Sequence, residues 1–257
     1  MKSIANALVA QSAMQSALFA ARGVTGPMPL FEHERGMQAA FPQEAARTRL
    51  LEPLEDARCI RAARIKDYPC LAIGQTVAAA GVVMREKTNA RKLDIESIDI
   101  VMADTRQIRQ QIIDPSRNDP RSREAADHSY QYIFAAALAE GDLSIAQFEK
   151  ELWNEEWMRD LIRRTRLTSD PAINALAPDG FPCRVTVRTK NGETIEHVQK
   201  HPPGYSPDGL REDAVVSKFE RLASPRVDAA RRKRIIETCL RAQKLADIGE
   251  LMALVGG

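Results

Sequence analysis

The sequence predicts an α+β protein, and three features carry that prediction. Alanine-rich stretches of helical periodicity stand at the start of the chain. Two segments in the middle alternate apolar and polar residues, as strands do. Helical pattern then returns from about residue 212. Helices, a mixed middle, then helices suggest a partial all-helical domain formed by the two terminal segments, with an α/β lid domain inserted between them. The expected boundaries are 1–59 and 219–257 for the helical segments and 60–218 for the lid.

The first expected helix covers residues 3 to about 22. Ile4, Leu8, Met14, Leu18 and Phe19 recur at roughly helical spacing among small residues, and Gly23 with Gly26-Pro27 provides the stop. A short helix is expected over FEHERGMQAAF, residues 31–41, and strand character over CIRAARI, residues 59–65. Pro69 suits the first turn of a helix running from about Cys70 to Lys87, because its missing N–H costs nothing there. IESIDIVMA, residues 95–103, alternates as a strand. IIDPSRNDPRSREAAD reads as a loop, and HSYQYIFAAALAEG as a helix from about 128 to 139 that stops at Gly141. LSIAQFEKELW and NEEWMRDLIRR give two more helices, the first capped by Ser144. Phe181, Cys183, Val185 and Val187 face one way and Arg184, Thr186 and Arg188 the other. Asn191-Gly192 then turns the chain into a hairpin. PPGYSPDGL is an irregular loop. The helical remainder breaks near Ser224-Pro225.

The 257 residues are 44% hydrophobic and 28% charged, with a net charge of +2. Opposite charges are interspersed, which argues against a nucleic-acid-binding surface. Asn6, Gln11 and Gln15 interrupt any signal-like core, and no apolar run approaches the roughly 18 residues of a membrane span. A cytoplasmic protein without nucleic-acid or membrane partners is expected. The four cysteines, Cys59, Cys70, Cys183 and Cys239, form no CxxC pair, and the four histidines form no HExxH. Reduced thiols and no metal site follow as expectations.

Five segments resemble the MmgE/PrpD family and occur in its order. They are RGVTGP (22–27), FEHERGMQAAF (31–41), IKDYPCLAIGQT (65–76), DHSYQYIFAAALAEG (127–141) and PPGY…VVSKFERLA (202–223). The resemblance implies cofactor-independent chemistry on small di- and tricarboxylates: dehydration, decarboxylation or isomerisation. Each needs a general base and positive charge to hold the anion. It also implies a homodimer, or association with a separate chain carrying an N-terminal helical half, without which this chain would be incomplete.

The same resemblance singles out candidate residues. Lys66, ahead of Tyr68-Pro69, and His128 stand at positions implied to be catalytic. Lys2, Gln75 and Thr76 stand at positions implied to bind substrate. Other roles remain open. Lys66 could extend to water, and His128 could hydrogen-bond the preceding loop. Gln75 and Thr76 could cross-link neighbouring backbone, since buried amides and hydroxyls need partners. Relatives carry a histidine just ahead of the Gln-Thr pair, where this chain has only apolar residues, Ile73 the best match. The expected function is a hydro-lyase subunit most similar to 2-methylcitrate dehydratase. A non-catalytic remnant or structural subunit and a dicarboxylate isomerase or epimerase are the alternatives.

Overall fold

A computed structural model describes residues 2–26, 30, 33, 35–36, 64–88, 94–178, 180–203, 205 and 211–256. The chain divides into two compact units, Met1–Ala57 and Arg58–Gly257. The first carries α1 (Lys2–Ala20), close to the expected bounds. Its Ile4, Leu8, Val9, Met14, Leu18 and Phe19 are all exposed. The expected helix over 31–41 falls mostly outside the described residues. So does the expected strand over 59–65, of which only Arg64 and Ile65 are described, and these are irregular.

The second unit is built on a four-stranded sheet of order β2-β1-β3-β4. The strands are β1 (Ile95–Ala103), β2 (Thr165–Asp170), β3 (Cys183–Thr189) and β4 (Thr194–Gln199). β1 matches its predicted bounds, and β3 and β4 form the predicted hairpin with Gly192 at φ 89°. β1 pairs parallel with β2 and antiparallel with β3. The register places Ile98, Ile100 and Met102 beside Val187, Val185 and Cys183, all buried. Alternate residues therefore line one covered face, as the period of a strand requires.

Two helices cover that face. α2 (Gln75–Thr88) packs on β3 and β4, and α6 (Tyr130–Glu140) packs on β2 and beside α2. Every residue of α6 from Tyr130 to Ala139 is buried, so a largely apolar helix finds partners on every side, and the one amide side chain in that range, Gln131, donates to Asn118. Ser129 caps its start through the Tyr132 N–H, and Gly141 ends it at φ 76°. Gly74 lies against Ile133, Gly81 against Ala137, and Gly141 against Arg85. The contacts advance together along both helices, so α2 and α6 run parallel.

Between β1 and β2 the chain forms α3 (Arg106–Ile112), α4 (Pro115–Asn118), α5 (Arg123–Ala126), α6, α7 (Ile145–Glu149) and α8 (Glu156–Arg163). The stretch expected to be a plain loop thus holds two short helices. Each starts on a side-chain cap, Asp114 to the Ser116 N–H and Ser122 to the Ala125 N–H. Ser144 and Gln147 form a capping box on α7, as the first part of the predicted helix required. Tyr132 packs edge-on against Phe148 and Trp153, at ring separations of 5.6 and 5.8 Å. α9 (Pro171–Asn174) follows β2. α10 (Glu212–Ala223), α11 (Ala229–Leu240) and α12 (Gly249–Val255) follow the hairpin, with the expected break after residue 223.

One expected element starts elsewhere. The helix predicted from Cys70 begins at Gln75, after a 3-10 turn over Ala72–Gly74, and Pro69 sits in a bend. The reason is the Gln75 side chain, described below. No described helix is long and apolar enough to cross a membrane. Among the described residues, no His/Cys/Asp/Glu group could hold a metal ion.

The closest approach of α2 and α6 is at Gly81. A Cβ built there would lie 2.6 Å from the Ala137 Cβ and 2.9 Å from the Phe134 carbonyl oxygen. Gly81→Ala is expected to destabilise the protein by about 2 kcal/mol although alanine favours helix, because backbone cannot yield. Urea unfolding checks this; an unchanged or raised midpoint contradicts it.

Candidate functional site

The segment carrying Lys66 is shaped by one buried amide. Gln75, 3% exposed, turns its side chain back over residues 67–70. Its Oε1 accepts from the Asp67 N–H at 2.8 Å and the Tyr68 N–H at 3.0 Å. Its Nε2 donates to the Tyr68 carbonyl at 2.9 Å, and meets the Cys70 carbonyl at 3.4 Å and Sγ at 3.1 Å. A bend that would leave buried backbone groups unbonded is thereby satisfied from within. Thr76, also buried, donates to the Phe181 carbonyl at 2.6 Å and ties the start of α2 to the approach to β3. Both side chains thus cross-link backbone, the structural role left open by the sequence.

Two further bonds place this segment. The Leu71 N–H donates to the Asp127 carbonyl at 3.0 Å, joining it to the turn that holds His128. On the other side, Arg221 of α10 donates to the Asp67 carboxylate at 2.5 Å and its carbonyl at 2.9 Å. The result is a cavity of about 540 Å³ with three walls. Lys66, Asp67, Tyr68 and Pro69 form one. Residues 142–146 and Glu149, at the α6–α7 turn, form the second. Lys218, Arg221, Leu222, Pro225 and Arg226, at the end of α10, form the third.

Lys66 is exposed, and no ion pair or hydrogen bond of its ammonium joins it to another described residue. Tyr68 is almost wholly buried. Desolvation first, and then the charges of Asp67 and Asp142, push its phenol up to about 12, so it stays protonated in neutral solution. Burial likewise pushes the Cys70 thiol up to about 12, against the opposing charge of Lys66. Neither is a ready nucleophile.

His128 pairs through Nδ1 with the neighbouring Asp127 carboxylate. It stands one residue before the Ser129 cap, not at the helix start as expected, and is half-buried. It is not among the residues lining the cavity of Lys66. Lys2 opens α1 in the first unit, and its side chain lies outside the described residues. The cavity therefore assembles Lys66 with residues that sequence reasoning did not single out: Lys218, Arg221 and Arg226. A signal existed in SKFER, where Lys218 and Arg221 are three apart and share a helix face.

Comparison with known proteins agrees in outline. The profile of the MmgE/PrpD C-terminal domain matches residues 68–242. A cis-aconitate decarboxylase-like protein, oryM, of Aspergillus oryzae (strain ATCC 42149 / RIB 40) is 32% identical over 128 residues, 49% of this chain and 26% of that protein. The cis-aconitate decarboxylase of Mus musculus is 25% identical over 142 residues, 55% of this chain and 29% of that protein. The matched part thus spans less than a third of either relative's length.

Two outcomes are expected from this geometry. Gln75→Leu leaves the Asp67 and Tyr68 N–H groups without their acceptor, and is expected to cost about 2–3 kcal/mol without any ligand present. Amide hydrogen exchange at Tyr68 would rise with it; unchanged stability and exchange would contradict the cross-linking role. Thiol labelling near pH 8 is expected to modify the exposed Cys239. Cys70 and Cys183, both raised to about 12 by burial, hold almost no thiolate there and should label only on unfolding. Mass spectrometry of labelled peptides reads the order, and early modification of Cys70 would refute it.

Proposed function

The chain belongs to the MmgE/PrpD family, and on that premise we propose that it forms the substrate-holding lid part of a lyase for small di- and tricarboxylates. The observation that carries this reading is Lys66, an ammonium without a described partner at the mouth of a cavity sized for a small acid. Removing water or CO2 next to a carboxylate builds negative charge on the carbon being deprotonated or decarboxylated. A fixed cation beside that carboxylate stabilises the developing charge. Lys66 has this role in the proposal, and the Gln75 and Thr76 cross-links position it.

His128, the proton-transfer candidate implied by the family resemblance, does not line the cavity of Lys66, so this reading assigns proton transfer mainly to the helical partner segment. The His128 Nδ1 is held by the Asp127 carboxylate, which orients the ring. The Leu71–Asp127 bond joins the segments that carry Lys66 and His128. Tyr68, protonated at the cavity wall, supplies a neutral donor for an oxygen of the substrate.

Dehydration, as in 2-methylcitrate dehydratase, is the first reaction considered. The names of the two relatives favour decarboxylation as a second. In either case the proposal pairs the chain with a helical partner segment, within a homodimer or from a separate chain.

The test uses the purified chain, alone and with the product of any reading frame immediately upstream. Each preparation is incubated with 2-methylcitrate and with cis-aconitate, and products are followed by NMR. Turnover of one acid is expected, with Lys66→Gln lowering kcat/KM by about 100-fold. No turnover in either preparation overturns the lyase reading. Proton exchange in D2O without loss of water or CO2 points instead to isomerisation.

A further inference from the structure

We infer that Lys218 and Arg226 form a second carboxylate-binding subsite in the cavity that Lys66 borders, so that the cavity selects acids with two carboxylates over acids with one. The inference deepens the lyase reading and rests on it for the carboxylate class.

The argument starts from which cations are already engaged. Arg221 is bound to both the side chain and the carbonyl of Asp67. That pair neutralises itself and docks the Lys66 segment on the α10 face that bears Lys218. It is a brace, and neither charge is left to attract a ligand. Lys66, Lys218 and Arg226 remain. No ion pair or side-chain hydrogen bond joins any of the three to another described residue.

Carboxylates are nevertheless at hand. Asp142 and Glu149 line the same cavity from the α6–α7 turn, yet neither is ion-paired with these cations. Lysine and arginine side chains are long and flexible, so unpaired ones can swing onto the charge of a ligand. Here three cations share one cavity while its acids stand apart. Gathering like charges costs energy that falls off only with distance and solvent screening. An anionic ligand with charge at both ends removes that cost.

The cavity also fits such a ligand between its charges. Pro69, Leu143, Ile145, Leu222 and Pro225 provide apolar surface. Its volume of about 540 Å³ admits a carbon chain with a carboxylate at each end. Lys218 additionally lines a neighbouring cavity of about 330 Å³ with Asp67, Arg221 and Pro203. Lys218 thus borders both spaces.

Glutarate and pentanoate separate the two subsites, because they share a five-carbon chain and differ in one terminal carboxylate. Binding of each to the full chain is measured by calorimetric titration. The wild type is expected to prefer glutarate, and Lys66→Gln to weaken both acids. Lys218→Gln or Arg226→Gln is expected to weaken glutarate three- to tenfold, roughly, while pentanoate stays within about twofold. Lys218→Arg should restore glutarate binding, which a merely structural defect would not allow. The inference is overturned if the glutarate-to-pentanoate ratio ignores both substitutions, or if the wild type binds neither acid. Selective binding without turnover of any acid would keep the subsite and remove the lyase reading. Turnover unaffected by Lys218→Gln would do the reverse.

Discussion

Two helices touch where one of them has no side chain, and the second unit of the protein is organised around that contact. At Gly81 the backbone of α2 comes within van der Waals reach of α6. Ala137 is the side chain that Gly81 meets, and the buried alanines at 78–80 and 135–137 keep both helices slim. Dispersion attraction depends steeply on such distances, so a pair of small-residue helices gains from contact what it lacks in side-chain bulk. The paired helices then form one slab wide enough to cover the sheet. α2 lies over β3 and β4, and α6 over β2. With few aromatics in the chain, the core depends on this closeness more than on any large ring.

The slab also fixes what surrounds the cavity. The start of α2 carries Gln75, whose amide shapes the Lys66 segment. The end of α6 leads through Gly141 into Asp142, Leu143 and Ser144. One wall of the cavity thus precedes α2 and another follows α6. The third wall is brought in by charge. Arg221 reaches across to Asp67, an interaction between residues 154 apart in sequence.

Much of the fold was legible in the sequence because local pattern and tertiary environment agree. β1 and β3 alternate cleanly, and each buries the residues that the alternation marks. The capping residue Ser144 and the stop at Gly141 stand where local backbone chemistry needs them. β2 was not legible: TRLTSD offers one large apolar residue, Leu167, and its strand character comes from parallel pairing with β1. The start of α2 was misplaced for a related reason. Pro69 permits a helix, but the Gln75 amide holds the backbone of 67–70 in a bend. The lining of the cavity divides in the same way. Lys66, which lines the cavity, was singled out by a motif of adjacent residues. Lys218 and Arg226 were not, because only the fold carries α10 to the Lys66 segment.

The Gln75 side chain has a consequence for what the sequence can tolerate at that position. A glutamate would have nearly the same size and shape, and could still accept from the Asp67 and Tyr68 N–H groups. It would, however, turn an oxygen toward the Tyr68 carbonyl where Gln75 turns an N–H. The bend thus discriminates between two side chains that differ by one terminal group, and does so by polarity rather than volume. Spontaneous deamidation of that amide would insert a negative charge into a buried bend beside Asp67. The segment that presents Lys66 carries, in one amide, a chemical vulnerability that no change in packing would reveal.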